Sequence, residues 1–392
     1  MLQTPEQIEI ALEKILPRVT KPGRYTGGEH NQVVKNWDQV DFKVATAFPD
    51  IYDLGMSNLG LMIIYDQINK WENLLCERTY TPWVDMEEAM RDQQVPLFSL
   101  ETKHPIRNFD MVALSLPYEQ LYTNALNLID LAGMPVRSVD RDESYPLIIA
   151  GGHACYNPEP MAPFIDAFVI GEAEDVIMEM IATMMACQKE GYDRTTQLRY
   201  LAQLEGVYVP RFYDVSYQDD GTIQAIVPTV PEAPAKVMKT IAAELPPPVT
   251  KFVVPFIETV HVRAPIEIMR GCTRGCRFCH AGMVTRPVRE RPVAEVLDTI
   301  QEILDSTGYE EIALLSLSSS DYNNVLELTS KIGEQFGHLG LNISLPSLRT
   351  ESVSTQLLEN LGDSKRGGFT LAPEAATEKM RNIINKYVTD EE

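Results

Sequence analysis

Three of the six cysteines of this chain stand in one short loop, Gly271-Cys272-Thr273-Arg274-Gly275-Cys276-Arg277-Phe278-Cys279. Thiolates are soft donors, and three of them on a glycine-loosened loop suit an iron–sulfur cluster or zinc. Ligand count separates the two. A structural zinc site takes four protein ligands, and the nearest fourth donor, His280, directly follows Cys279, where chelation of one ion by both side chains is awkward. A cubane cluster held by Cys272, Cys276 and Cys279 leaves one iron open to an outside ligand, which is a reactive arrangement more than a structural one. The other cysteines, Cys76, Cys155 and Cys187, lie far upstream without paired spacing and read as ordinary buried thiols.

The elements around the loop must position it. An apolar strand-like run, Ile266 to Met269, leads in and a helix-like run, Val293 to Leu304, follows, so the cysteines cap a strand. In β/α barrels the strand ends carry the chemistry. The CxxxCxxC spacing, with Phe278 just before the last cysteine, resembles the radical S-adenosylmethionine (SAM) superfamily. That resemblance implies a [4Fe-4S] cluster whose open iron is chelated by the amino and carboxylate groups of SAM. It further implies reductive cleavage of SAM to methionine and a 5′-deoxyadenosyl radical that acts on a substrate the sequence does not name, with a reductant such as flavodoxin or ferredoxin. The cofactor carries the hard chemistry and the protein positions it.

The same resemblance nominates Phe278, Ser318, Ser319, Ser344, Arg349 and Glu374 as SAM-binding positions and assigns no catalytic side chain. Ser316 and Ser318 to Asp321 follow the second strand, where the family generally places a Gly-Gly-Glu element that bonds the SAM amino group; the plainer reading is a cap for the helix from Asn324. Ser344, Ser347 and Arg349 end the third strand and Glu374 ends the fourth. Arg349 and Glu374 would meet the SAM carboxylate or ribose, or else form internal salt bridges. Arg286, Arg289 and Arg291 read as a solvated basic turn, with an anionic substrate as the alternative.

Composition sets outer bounds. At 392 residues and 44% hydrophobic content there is core enough for two or three domains. Thirty-four basic against 56 acidic residues give a net charge of −22, which disfavours non-specific attraction to nucleic-acid backbones and anionic lipid. The N-terminus has no basic region followed by an apolar core, and no window approaches the roughly 18 apolar residues of a membrane span. A cytoplasmic location is expected, and an oxygen-sensitive cluster agrees with a reducing interior.

The overall fold class reads as α/β: an N-terminal Rossmann-like, doubly wound domain of cobalamin-binding type plus a C-terminal partial (β/α) radical SAM barrel, truncated. Residues 1–40 form an arm with an amphipathic helix carrying Ile8, Ile10, Leu12 and Ile15. Residues 41–190 alternate strands (Phe42–Phe48, Met111–Leu116, Leu147–Ala150, Ala167–Ile170) with helices (Leu59–Lys70, Glu119–Ala132, Glu172–Ala186), a pattern that implies a parallel sheet. Its ligands would sit at the carboxyl ends of the strands, near Asp53 to Gly60, Leu116 to Glu119 and Gly151-Gly152-His153.

The Gly151-to-Glu174 stretch is similar to the signature of cobalamin-binding radical SAM proteins, although the Asp-x-His-x-x-Gly string that ligates cobalt in many of them is missing. Cobalamin bound without a protein ligand, or a domain that kept the fold and lost the cofactor, both stay open. His153 faces a ligand or is a hydrogen-bonded loop histidine. Residues 191–262 read as a proline-rich linker with a small β insert.

Residues 263–392 hold four strand–helix units, continuing with Ile312–Leu317 and Asn324–Phe336, Leu341–Leu345 and Thr355–Leu361, Gly368–Leu371 and Ala376–Asn385. Radical SAM barrels usually have six, so a missing C-terminal segment or companion chain is expected. Thr389 reads as the cap of a further helix. The rival functions are a cobalamin-dependent radical SAM methyltransferase and, outside enzymes, a zinc or electron-transfer module.

Overall fold

A computed structural model of the chain describes residues 1–350, 356–357 and 371–391. The chain forms two compact units, Met1–Ala242 with Pro255–Val260, and Ala243–Val254 with His261–Glu392.

The first unit begins with helix α1 (Pro5–Ile15), capped by the Thr4 hydroxyl. Strand β1 (Phe42–Phe48), helix α2 (Leu59–Asn69), β2 (Leu74–Tyr80) and α3 (Val84–Asp92) follow, then β3 (Met111–Ser115), α4 (Tyr122–Leu131), β4 (Leu147–Gly151), β5 (Ala167–Val169), α5 (Glu174–Glu190), α6 (Arg194–Leu201) and β6 (Val207–Tyr208). These strands make one six-stranded sheet in the order β2-β1-β3-β4-β5-β6. All neighbours run parallel except β5 and β6, which are antiparallel. The order reverses between β1 and β3, and in open α/β sheets ligands bind at such reversals, outside the carboxyl ends of the strands.

Strands of a parallel sheet covered on both faces are buried along their whole length. Every residue of β2 is buried, Glu77 and Arg78 included. That strand and α3 were not expected from the sequence, because two adjacent charges break the apolar run. Residues 206–210, expected in a linker, supply the edge strand β6. In α1, Ile8, Leu12 and Ile15 are buried, but Ile10 is exposed: the 3.6-residue period turns it away from the other three. Beyond the sheet, β7 (Tyr213–Tyr217) and β8 (Ile223–Pro228) form a hairpin, of which only the second strand, over Ile223–Val230, is expected from the sequence.

The second unit carries β9 (Ala264–Glu267), β10 (Met269–Arg270), β11 (Arg289–Glu290), α7 (Val293–Thr307), β12 (Glu311–Leu315), α8 (Val325–Phe336), β13 (Asn342–Ser344) and α9 (Glu378–Ile383). Strands β13, β12 and β9 form a parallel sheet in that order, while β10 pairs antiparallel with β11. Helices α7 and α8 bury apolar stripes at helical spacing, Val296, Ile300 and Ile303 on one, Leu328, Ile332 and Phe336 on the other. The expected helix over 355–361 lies outside the described residues apart from 356 and 357, and the expected strand over 368–371 apart from Leu371. Residues 386–389 are irregular, the helix expected to start after Thr389 would lie largely outside the described residues, and Asp390 pairs with Arg381.

Candidate metal centre

The cysteine loop leaves β10 and returns through β11. Gly271 opens it at φ +88°, and a Cβ there would lie 2.6 Å from the Pro287 carbonyl oxygen and 2.9 Å from that of Thr285. Only glycine combines that backbone with that clearance. Arg286, expected in a solvated turn, is folded inward: its Nε donates to the carbonyls of Cys272 (3.3 Å) and Gly282 (3.1 Å). Arg291 is buried, donating to the Glu267 carbonyl at 2.9 Å and the Pro246 carbonyl at 2.8 Å. The solvated-turn reading therefore fails for both, since a guanidinium has five donors with which to tie carbonyls together.

Within the loop, the Cys279 amide donates to the Cys276 carbonyl at 3.0 Å. A short helical turn, Ala281–Val284, follows, and its Gly282 amide donates to Cys279 Sγ at 3.3 Å. A Cβ at position 282 would be 3.3 Å from that sulfur and 3.9 Å from Cys272 Cβ, so glycine lets the turn close over both cysteines. All three cysteines are half-buried, and Phe278 is exposed.

Two loops from the sheet join this one. After β12, Ser318 Oγ donates to Asp321 Oδ2 at 2.6 Å, and Ser319 Oγ to the Leu314 carbonyl at 3.0 Å. Both serines are buried, and their hydroxyls fold the turn on itself; neither caps α8. After β13, the Ser347 carbonyl accepts from the Ser319 amide at 2.8 Å, and the Arg349 amide donates to Ser320 Oγ at 3.1 Å. This stitching delivers the Arg349 guanidinium to Cys276 Sγ at 3.8 Å.

Arg274, inside the cysteine loop, pairs with Asp321, with Nε to Oδ2 at 2.8 Å. Burial acts to raise the Asp321 carboxyl, but hydrogen bonds from Arg274 and Ser318 and the charges of Arg274 and Arg349 outweigh it and hold the group below the usual carboxylate range.

The remaining nominees fall elsewhere. Ser344 accepts from Arg263 at 2.7 Å, and its register opposite Ala313 places it two residues short of the sheet level where Leu315 faces Glu267. Glu374 forms the internal salt bridge, with Lys386 at 3.1 Å. Sequence reading missed Arg274, Arg277 and Asn385, which link the cysteine loop to Asp321 and to the end of α9; the one available signal was asparagine just past a helix end, a position where left-handed backbone is common.

The donor set suits an iron–sulfur cluster: three half-exposed thiols on one loop, two of them under a glycine turn and one beside a cation. Among the described residues no three His, Cys, Asp or Glu side chains converge to hold a single metal ion. A cluster that takes one cysteine per iron asks for less convergence than a mononuclear ion, whose thiolates must all lie about 2.3 Å from one point.

Family models fit this architecture. "Radical SAM proteins, N-terminal" matches residues 60–210, and "Radical SAM superfamily" matches residues 266–392. The chain belongs to the radical SAM superfamily, a family that implies a [4Fe-4S] cluster and SAM.

An uncharacterised protein of Methanocaldococcus jannaschii, MJ0966, is 26% identical over 88% of this chain and 64% of its own length. The chain thus spans a little under two thirds of that relative. A tRNA-2-methylthio-N(6)-dimethylallyladenosine synthase of Staphylococcus epidermidis is 28% identical over 24% of this chain and 18% of its own. Among solved structures, the radical SAM methyltransferase TsrM of Kitasatospora setae, with cobalamin and a [4Fe-4S] cluster bound, aligns with TM-score 0.47 and 14% identity over 81% of this chain and 58% of that one. No helix of the described residues is long and apolar enough to cross a membrane.

Proposed function

We propose that Cys272, Cys276 and Cys279 hold the [4Fe-4S] cluster, that the loops after β12 and β13 bind SAM beside it, and that the enzyme works with a flavodoxin- or ferredoxin-type reductant in a reducing compartment such as the cytoplasm. The observation that carries this reading is the delivery of Arg349 to Cys276 by loops from two neighbouring parallel strands. When loaded, the cluster and SAM supply a one-electron cleavage to methionine and a 5′-deoxyadenosyl radical. The chain's own residues orient and shield. Arg349 puts a fixed cation beside a sulfur that must be thiolate to bind iron, and its fork suits the SAM carboxylate. Ser318 and Ser319 hold the shape of the adjoining turn, while Phe278 offers an exposed apolar face at the loop.

The sheet of the second unit, with its connecting helices, is read as the first part of a radical SAM barrel. The test is direct: anaerobically reconstituted, reduced protein with SAM should release 5′-deoxyadenosine and methionine, and none from protein carrying a full complement of iron would reject the proposal.

The strand order of the first unit favours a second reading, a Rossmann-like domain of cobalamin-binding type. In the loop after β1, a Cβ at Gly55 would lie 2.3 Å from the Tyr80 ring, and Met56 Sδ accepts from Arg78 (3.0 Å) and Tyr80 (3.1 Å). Neither position presents a side chain to cobalt, so a corrinoid would bind there without a protein ligand from positions 55 and 56. A stoichiometric corrinoid spectrum after incubation with hydroxocobalamin supports this, and its absence means a domain that kept only the fold. Methylthio transfer is less favoured: it would need a second cluster, and burial pushes the thiols of Cys76, Cys155 and Cys187 up.

A further inference from the structure

The segment that ends α9 grips the cysteine loop from outside. The Arg277 amide donates to the Ile384 carbonyl at 2.9 Å and its guanidinium to the Ile383 carbonyl at 2.7 Å. In return, one side-chain amide, Asn385 Nδ2, donates to two successive carbonyls of the loop, Arg274 at 3.0 Å and Gly275 at 2.9 Å. Asn385 has φ +60°, a left-handed conformation that asparagine tolerates better than most residues.

The two carbonyls decide where two amides go. A trans peptide points its N–H opposite to its C=O. Fixing the Arg274 oxygen toward Asn385 therefore turns the Gly275 N–H away from it, and fixing the Gly275 oxygen does the same for the Cys276 N–H. Gly275 itself has φ +70°, and consecutive N–H groups around a left-handed residue form an anion-binding concavity of the kind found at iron–sulfur sites.

Resting on the cluster reading above, we propose that Asn385 is a positioning residue for the metal centre: by holding two carbonyls outward it aims the Gly275 and Cys276 amides at the anionic cluster and fixes both its retention and its reduction potential. Outer-shell partners of metal ligands typically change metal affinity by about 10–100-fold when lost.

The test uses the reconstituted full chain and two variants. Asn385→Gly keeps the left-handed backbone and deletes the amide; Asn385→Asp keeps shape and loses both N–H donors. Both should lose iron to a chelator at least about tenfold faster than wild type, show a lower midpoint potential and an altered electron paramagnetic resonance (EPR) signal of the reduced cluster, and unfold as apoproteins like wild type. Wild-type retention, potential and signal in both variants would overturn the proposal, as would apoprotein destabilisation that accounts for the iron loss with the potential unmoved. Failure of the wild type itself to take up a cluster would instead reject the reading beneath it.

Discussion

The carboxyl end of β2 in the first unit and the cysteine loop in the second are both built from groups that prefer water, and they satisfy those groups in opposite ways. Arg78 is fully buried, yet Glu29 (2.7 Å) and Glu101 (2.6 Å) neutralise it, and the Tyr52 hydroxyl donates to Glu29 at 2.6 Å. Buried charge survives only when paired and hydrogen-bonded. In the cysteine loop the backbone is tied down by Arg286, Arg277 and Asn385, while two of the sulfurs carry long contacts of 3.3 and 3.8 Å. One region spends its polar groups on itself; the other fixes its frame through the backbone and holds two of its soft donors in long contacts.

That contrast can be broken at several points. Cys276→Ala should abolish 5′-deoxyadenosine release while leaving the circular dichroism and melting of the first unit unchanged; retained cleavage would mean the wrong thiol was chosen. Arg78→Ala should do the reverse, leaving Glu29 and Glu101 buried without their counter-ion and costing about 3–5 kcal/mol, read as a lower denaturation midpoint for the first unit. Arg349→Lys keeps a charge but loses the planar fork; it should weaken SAM binding, raising KM by about tenfold or more, roughly the 1.4 kcal/mol of one charge-assisted hydrogen bond, and an unchanged KM would remove Arg349 from the site.

A smaller effect sharpens the first region. Burial, reinforced by the nearby Glu101 charge, pushes the Glu77 carboxyl up to about 7 from an ordinary 4.5, although Thr102 Oγ1 lies 2.8 Å from both its oxygens. Between those values the folded state holds a proton that the unfolded chain has released, so stability is fullest below about pH 4.5 and falls as pH rises through about 7. Glu77→Gln should flatten that slope in denaturation curves recorded across the window.

What could be read in advance follows the range of the interactions. The cysteine spacing and the alternation of strands and helices are local patterns, and they give the class of site and the parallel sheets. Strand β2 escaped because Leu-Leu-Cys-Glu-Arg-Thr-Tyr looks amphipathic until Glu29 and Glu101, remote in sequence, neutralise Arg78. Arg349 meets Cys276 across 73 residues and Asn385 meets Gly275 across 110; no spacing rule reaches so far. Ser318 and Ser319 were legible as a polar loop, but whether their hydroxyls face a ligand or their own turn depends on burial that only the folded chain supplies.

The central claim is that the three clustered cysteines hold four irons and leave one of them to SAM. EPR spectroscopy of the reduced, anaerobically reconstituted protein tests it most directly: the cluster signal should shift when SAM is added to wild type. An identical signal with and without SAM, or stoichiometric zinc in place of iron, would contradict it.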